Sequence, residues 1–394
     1  MQPIHCARTI SRPSAFCAAV IAACLCLGCV GPGATVPSPE ARVEHLRRQL
    51  SLETRREQSE IVKTRLLYQE PQLEQFLEQI LASLMPAEVP EGIRPRVVLV
   101  RELSLDAYSF PDGAIFLHTG LLARLQGEPE LALLLAHELV HITRQHALRA
   151  LAAMPPESDA SFFNRLLSDS LSWFQDTDTL PGMGKPSDEL LSLRRSLEQE
   201  ADRMGLDMVV QAGYDPHEAI EIFDNLIEGR GDRPGKERVA AVLQPLSTTD
   251  FGRTGRSTDR GDFGKRLQAL LLEQGWLELR HSRWDGALQC ARRLVRDAPT
   301  NAHGHYLLGE ILRRRNEAGD APQALAHYFQ AIASDSSLPE PYKAIGLIHF
   351  KQGQARLASG FFEKALALAP HSCDNEYIRS YLAQCIRITE GEDL

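Results

Sequence analysis

The sequence predicts an α+β fold, mostly α, with a small β-sheet in its first half and an α-solenoid of helical repeats after it. Three observations carry this. Two short β-rich runs, at 96–101 and 114–118, sit between long helical patterns. Apolar residues recur at helical spacing through 129–151, at Leu131, Leu134, Leu135, Leu139 and Ile142. From about residue 266 the chain is helical to its end and similar to itself at a fixed period: Ala324 and Ala358 lie 34 apart, as do Ala331 and Ala365.

The first 30 residues differ from the rest. Arg8 and Arg12 precede a short uncharged apolar stretch from Ala15 to Leu27, which reads as a secretory signal. It ends in Cys26-Leu27-Gly28-Cys29, which resembles a bacterial lipobox with Cys26 where leucine is usual. The expected organisation is a lipoprotein signal peptide at 1–28, then a linker at 29–40 after a lipid-anchored Cys29. Val30 rather than aspartate follows that cysteine, so the resemblance implies a periplasm-facing anchor in the outer membrane. No apolar run after residue 30 reaches the ~18 residues a membrane helix needs. Net charge is −9 with Lys and Arg scattered, which argues against nucleic acid as a partner. Five of the eight cysteines lie in the first 30 residues; Cys290, Cys373 and Cys385 are far apart and odd in number, so no disulfide framework or zinc knuckle is expected.

A first domain is expected over 41–264 and a repeat domain over 265–394. Residues 41–84 are helical in pattern, broken by Pro71. Phe110-Pro111-Asp112-Gly113 is a turn ahead of the second strand, giving a hairpin or small mixed sheet. Residues 155–189 mix Ser, Asp, Pro and Gly with Phe162, Phe163, Trp173 and Phe174, and read as a segment able to cover a cleft. A helix is expected over 192–212, closed by Gly213, with Asp215 capping the next one at Pro216. Residues 229–264 read as an irregular loop. The 34-residue period is that of tetratricopeptide repeats. Three repeats are expected over about 270–372, with a capping helix through Cys385 and a short insertion near Asn316.

The chemistry centres on His137-Glu138-Leu139-Val140-His141. Histidines at i and i+4 share one helix face, so both imidazoles reach one ion. Glu138, beside them, is placed to move a proton between an attacking water and a leaving amine. A catalytic zinc site needs three protein ligands and one open position. Glu198, 57 residues after His141 on its own helix, supplies the third. Asp202, one turn on, is placed to accept from a ligand histidine and fix its ring. His118 and His146 read as structural or exposed.

Four ordered stretches carry a family resemblance: 110–122, 130–141, 198–205 and 212–216. Together they resemble the gluzincin family of the CAAX prenyl protease, HtpX and Oma-type peptidases (peptidase family M forty-eight). The domain order is most similar to the beta-barrel assembly-enhancing protease type, with C-terminal tetratricopeptide repeats. The resemblance implies a zinc metalloendopeptidase with one Zn2+ held by His137, His141 and Glu198, and Glu138 as base. It implies unfolded or misassembled envelope proteins as substrates, a protein partner on the repeats, and a role in outer-membrane protein quality control. It also implies that the strand at 114–119 forms the cleft edge along which an extended substrate adds. Many members of that family carry a downstream Ser/Thr-His-Pro stretch whose histidine can approach the metal, whereas here no histidine lies between His217 and His281. Arg266 is the candidate match to a family arginine near the cleft. The alternative is a latent or weakly active protease fold acting as a repeat-based chaperone or scaffold lipoprotein.

Overall fold

A computed structural model describes residues 38–64, 66–153, 188–222 and 260–390. The expected leader, Cys29, most of the linker and the cleft-covering segment with Trp173 lie outside the described residues. The first helix, α1 (Pro39–Lys63), ends before Pro71, and that proline opens α2 (Pro71–Leu84). Proline suits a first helical position, where an N–H would lack a helical partner. The Glu70 carboxylate caps α2 by accepting from the Leu73 N–H at 2.6 Å. Leu73, Phe76, Leu77, Ile80, Leu81 and Leu84 form its buried stripe.

Three strands follow: β1 (Arg96–Val100), β2 (Ala107–Ser109) and β3 (Ala114–His118). The order is β1-β3-β2, with β1 parallel and β2 antiparallel to β3. The expected turn at 110–113 thus closes a β2–β3 hairpin, and Gly113 turns it with φ 101°. The expected cleft edge at 114–119 is corrected. β3 is the central strand, hydrogen-bonded on both sides and buried along its whole length. A segment at 66–68 lies against β1, where Leu67 bridges Val100. Among the described residues, β2 is therefore the outer strand on the other side. At three residues, Ala-Tyr-Ser is too short to show a period of two.

A short helix, α3 (Thr119–Leu122), leads to α4 (Glu128–Thr143). Every α4 residue from Pro129 to Val140 is buried. The continuous helix expected over 129–151 is in fact two. Gln145 adopts a left-handed conformation, φ 51°, and α5 (His146–Ala152) starts after it. Apolar spacing runs through the break because α5 also buries a face, at Leu148, Ala150 and Leu151. Then α6 (Asp188–Gln211) packs along α4. Its buried face is Leu197, Ala201, Asp202, Gly205, Leu206 and Val209. Gly205 makes that approach possible: a Cβ there would stand 3.1 Å from the His137 backbone nitrogen. Asp215 caps the short α7 (Pro216–Ala219), as expected, by accepting from the His217 N–H at 2.8 Å.

The loop expected over 229–264 lies outside the described residues up to 259, and its end is helical. That helix is α8 (Arg260–Arg266), which crosses the expected domain limit at 264. Beyond it, α9 (Gln268–Arg280) pairs with α10 (Trp284–Asp297), α11 (Ala302–Arg315) with α12 (Asp320–Ser334), and α13 (Pro339–Lys351) with α14 (Ala355–Leu368). α15 (Asn375–Glu390) packs on α14. This is the expected tetratricopeptide-type α-solenoid. Glycines set its helix spacing: a Cβ on Gly309 would sit 2.4 Å from the Tyr328 ring, and one on Gly346 would sit 2.5 Å from Phe362. The insertion near Asn316 is the α11–α12 loop, turned by Asn316 at φ 56° and Gly319 at φ 88°.

The main apolar cluster does not stop where the repeats begin. Phe263, Leu267, Leu270, Leu271, Cys290 and Leu294 share it with α2, α4 and α6. Arg293 on α10 donates to the Ala123 carbonyl at 3.0 Å, and Thr119 donates to Gln274 on α9 at 2.9 Å. Among the described residues no helix is long and apolar enough to cross a membrane.

Candidate metal centre

α4 carries His137 and His141 one turn apart, and the packed face of α6 brings Glu198 and Asp202 to them. His137 Nε2 and His141 Nε2 are 2.9 Å apart. Glu198 Oε2 lies 3.5 Å from the first and Oε1 3.5 Å from the second. These are the only three described residues whose ligand atoms converge as a metal set. Bonds of 2.0–2.1 Å at tetrahedral angles place ligand atoms about 3.3 Å apart, so the three separations suit one face of such a site.

The donor chemistry also fits a cation. His137 Nδ1 lies 3.0 Å from Asp202 Oδ1, and a carboxylate there can only accept. The His137 Nδ1 therefore carries the proton, and its Nε2 lone pair faces the imidazole of His141. Without a metal a proton must occupy that space. Burial opposes protonation of His137, but the hydrogen bonds and charges of Asp202 and Glu198 outweigh it and raise its pKa to about 9. Burial together with the neighbouring imidazoles lowers His141 to about 3, the Glu198 charge opposing. Metal binding displaces such a proton. His137, Glu138 and Asp202 are 1%, 2% and 4% exposed, while the Glu198 side chain is one-third exposed. Glu138 thus sits in the interior on the same turn as the two histidines.

The site opens onto a cleft of about 600 Å³. Thr54 and Arg55 of α1, Phe110 and Asp112 of the hairpin turn, and His141 and Glu198 are among its walls. The β2 strand ends at this cleft through Ser109.

Two residues of the centre escape a reading of spacing. His146, expected to be structural or exposed, is buried with its Nδ1 3.1 Å from His141 Nδ1. Glu200, legible only as part of an acidic helix face, accepts from Arg144 at 2.9 Å and from Arg149 at 2.8 Å. Burial opposes it, yet those two guanidiniums hold its carboxyl down to about 2. His146 follows His141 by five, off the four-residue face spacing, and only the left-handed Gln145 brings it back. The remaining candidates take structural places. His118 Nδ1 meets the Ser104 hydroxyl at 2.7 Å. Arg266 is stacked 4.6 Å over the Phe76 ring on α2.

An HExxH helix packed against a second helix that brings a glutamate to the same point defines a metallopeptidase type of centre. Residues 68–276 match peptidase family M48, and the chain belongs to that family. It is 30% identical over 134 residues to the beta-barrel assembly-enhancing protease of Yersinia pestis, covering 33% of this chain and 28% of that protein. It is 27% identical over 175 residues to the mitochondrial metalloendopeptidase OMA1 of Schizosaccharomyces pombe, covering 44% of this chain and 49% of that one. The matches thus span half or less of these relatives' own length. Among solved structures, the yeast Sti1 TPR2AB-domain:pHSP90 complex aligns at TM-score 0.29 and 12% identity, covering 67% of this chain and 93% of that one.

Proposed function

We propose that this chain is a zinc-dependent endopeptidase of the bacterial cell envelope, acting on misfolded or stalled envelope proteins. In this reading His137, His141 and Glu198 hold a single Zn2+. The observation that carries it is the convergence of the two Nε2 atoms and the Glu198 carboxylate beside a buried Glu138, on the scaffold of a peptidase family. When bound, zinc supplies Lewis acidity to the scissile carbonyl and acidifies the water that attacks it. Glu138 takes the proton of that water and returns it to the departing amine. Asp202 accepts from His137 Nδ1 and keeps that ring in the tautomer whose Nε2 is a donor to metal. The outer strand β2, which ends at the cleft, offers an extended peptide a backbone edge to pair with. The repeats would hold a partner or substrate protein. Relatives named beta-barrel assembly-enhancing protease support the envelope placement, with anchoring through a lipid on Cys29 part of the same proposal.

The test uses the purified full-length chain with casein as an unfolded substrate. Wild type, Glu138→Gln and chelator-treated samples run side by side, with zinc measured on each. The expected result is cleavage by wild type alone, with zinc retained by Glu138→Gln. Cleavage by Glu138→Gln at the wild-type rate would remove Glu138 from its role. Zinc bound without cleavage by any sample would favour the repeat-based scaffold.

A further inference from the structure

Each imidazole that gives Nε2 to a metal must have Nδ1 protonated and held, or the ring turns away. Asp202 does this for His137. For His141 the partner is another imidazole. His146 Nδ1 stands 3.1 Å from His141 Nδ1, and the two rings meet edge to face at 86° with centroids 4.8 Å apart. Two ring nitrogens make a hydrogen bond only when one carries the proton and the other a lone pair. With a cation between His141 Nε2, His137 Nε2 and Glu198, that Nε2 gives its lone pair, so the His141 proton lies on Nδ1 and His146 Nδ1 accepts. The proton of neutral His146 is then on Nε2. That atom is shut off from water and, among the described residues, has no hydrogen-bond partner within the usual distance. Its nearest acidic neighbour is Glu200 Oε2 at 3.6 Å, whose carboxylate Arg144 and Arg149 fix in place.

We infer that His146 is a positioning residue for the metal centre, accepting the His141 Nδ1 proton while the Arg-clamped Glu200 faces its own Nε2. The inference rests on the metal reading of the preceding subsection. It makes the two ligand histidines unlike each other. His137 leans on a carboxylate and is the more electron-rich donor. His141 leans on a neutral imidazole, itself polarised by a carboxylate one step further out. The left-handed Gln145 is the local device for this, since a continuous helix would carry residue 146 around to another face.

The experiment measures Zn2+ affinity of the full-length chain by competition with a chromophoric chelator, together with the visible spectrum of the Co2+-substituted chain. Two substitutions separate hydrogen bonding from packing. His146→Phe keeps a flat ring and removes the acceptor. His146→Asn is a poorer filler whose carbonyl oxygen takes the place of Nδ1. The expected result is a ten- to hundredfold loss of Zn2+ affinity and an altered Co2+ band in His146→Phe, with most of both restored in His146→Asn. A packing role gives the reverse order. Should the Phe variant not fold, His146→Leu takes its place on the same criterion. Wild-type affinity in the apolar variant, or an equal loss in both, overturns the inference while leaving the centre intact. A wild-type chain that takes up no Zn2+ overturns the metal reading and this inference with it.

Discussion

Gly205→Ala tests how tightly α6 must lie on α4 for the centre to form. A Cβ at 205 would stand 3.1 Å from His137 N, 3.3 Å from His137 Cα and 3.4 Å from Ala136 C. These contacts are backbone, which cannot swing aside, so the helices must part by a few tenths of an ångström. Metal sites tolerate about 0.2 Å in ligand distance. Glu198 and Asp202 lie on the same α6 face, one to two turns before Gly205, so they move with it. The alanine also stabilises the helix by about 1 kcal/mol, against about 1–3 kcal/mol of overpacking strain. The net loss of fold stability is therefore small, about 0–2 kcal/mol by those figures. Zn2+ affinity should fall about tenfold, about 1.4 kcal/mol. Urea unfolding of the metal-free chain reads the first quantity and chelator competition the second. Unchanged affinity, within a factor of about two, would refute the argument that this contact sets the ligand geometry.

Glu130 gives a pH dependence away from the centre. Burial raises its carboxyl to about 7, and the Glu221 charge adds to this, while the Gln126 N–H, Arg260 and Arg293 oppose it. Between about pH 4.5 and 7 the folded carboxyl keeps a proton that the unfolded chain releases. Stability from this group is therefore present at low pH and lost as pH rises through that window, by on the order of 3 kcal/mol above it. Relative to wild type, Glu130→Gln should gain stability from pH 5 to 8, read as a rising difference in urea midpoints. In the solenoid, Gly309→Ala and Gly346→Ala push a methyl into buried rings at 2.4 Å and 2.5 Å, and each should lower the melting temperature by a cost of about 1–3 kcal/mol. Gly360→Ala, with nothing within 4 Å, should instead stabilise the fold by up to about 1 kcal/mol and raise that temperature; calorimetry on the three variants decides.

The parts of this protein that repeat at short intervals were legible without coordinates. Histidines four apart and an acidic pair four apart each had to share a helix face, and the structure brings those faces together at His137, His141, Glu198 and Asp202. The helix pairs of the solenoid follow a 34-residue period, and the glycines in it stand where partner rings approach. What spacing could not carry was decided by single backbone states and by pairing across the chain. Nothing in the letters Arg144-Gln145-His146 distinguishes a left-handed residue from another helical turn, so the contact of His146 with His141 was invisible. Strand order was equally hidden: β3 reads as any buried strand, and its central place depends on β2, whose three residues show no alternation. α8 is only seven residues long and rich in glycine and charge, which is why it read as loop.

The apolar cluster shared by α9 and α10 with α2, α4 and α6 bears on how such a chain can be lengthened or pruned. The array resembles a graft whose root lies inside the stock. Among the described residues, helix pairs beyond α10 pack on their neighbours and contribute no side chain to the interior that supports α4 and α6. The first pair is different. Removing it strips Leu270, Leu271, Cys290 and Leu294 from that interior and the Arg293 bond from Ala123. The seam along which ancestry could cut and rejoin this protein therefore lies near residues 298–301, one helix pair after the point where the repeats begin in sequence.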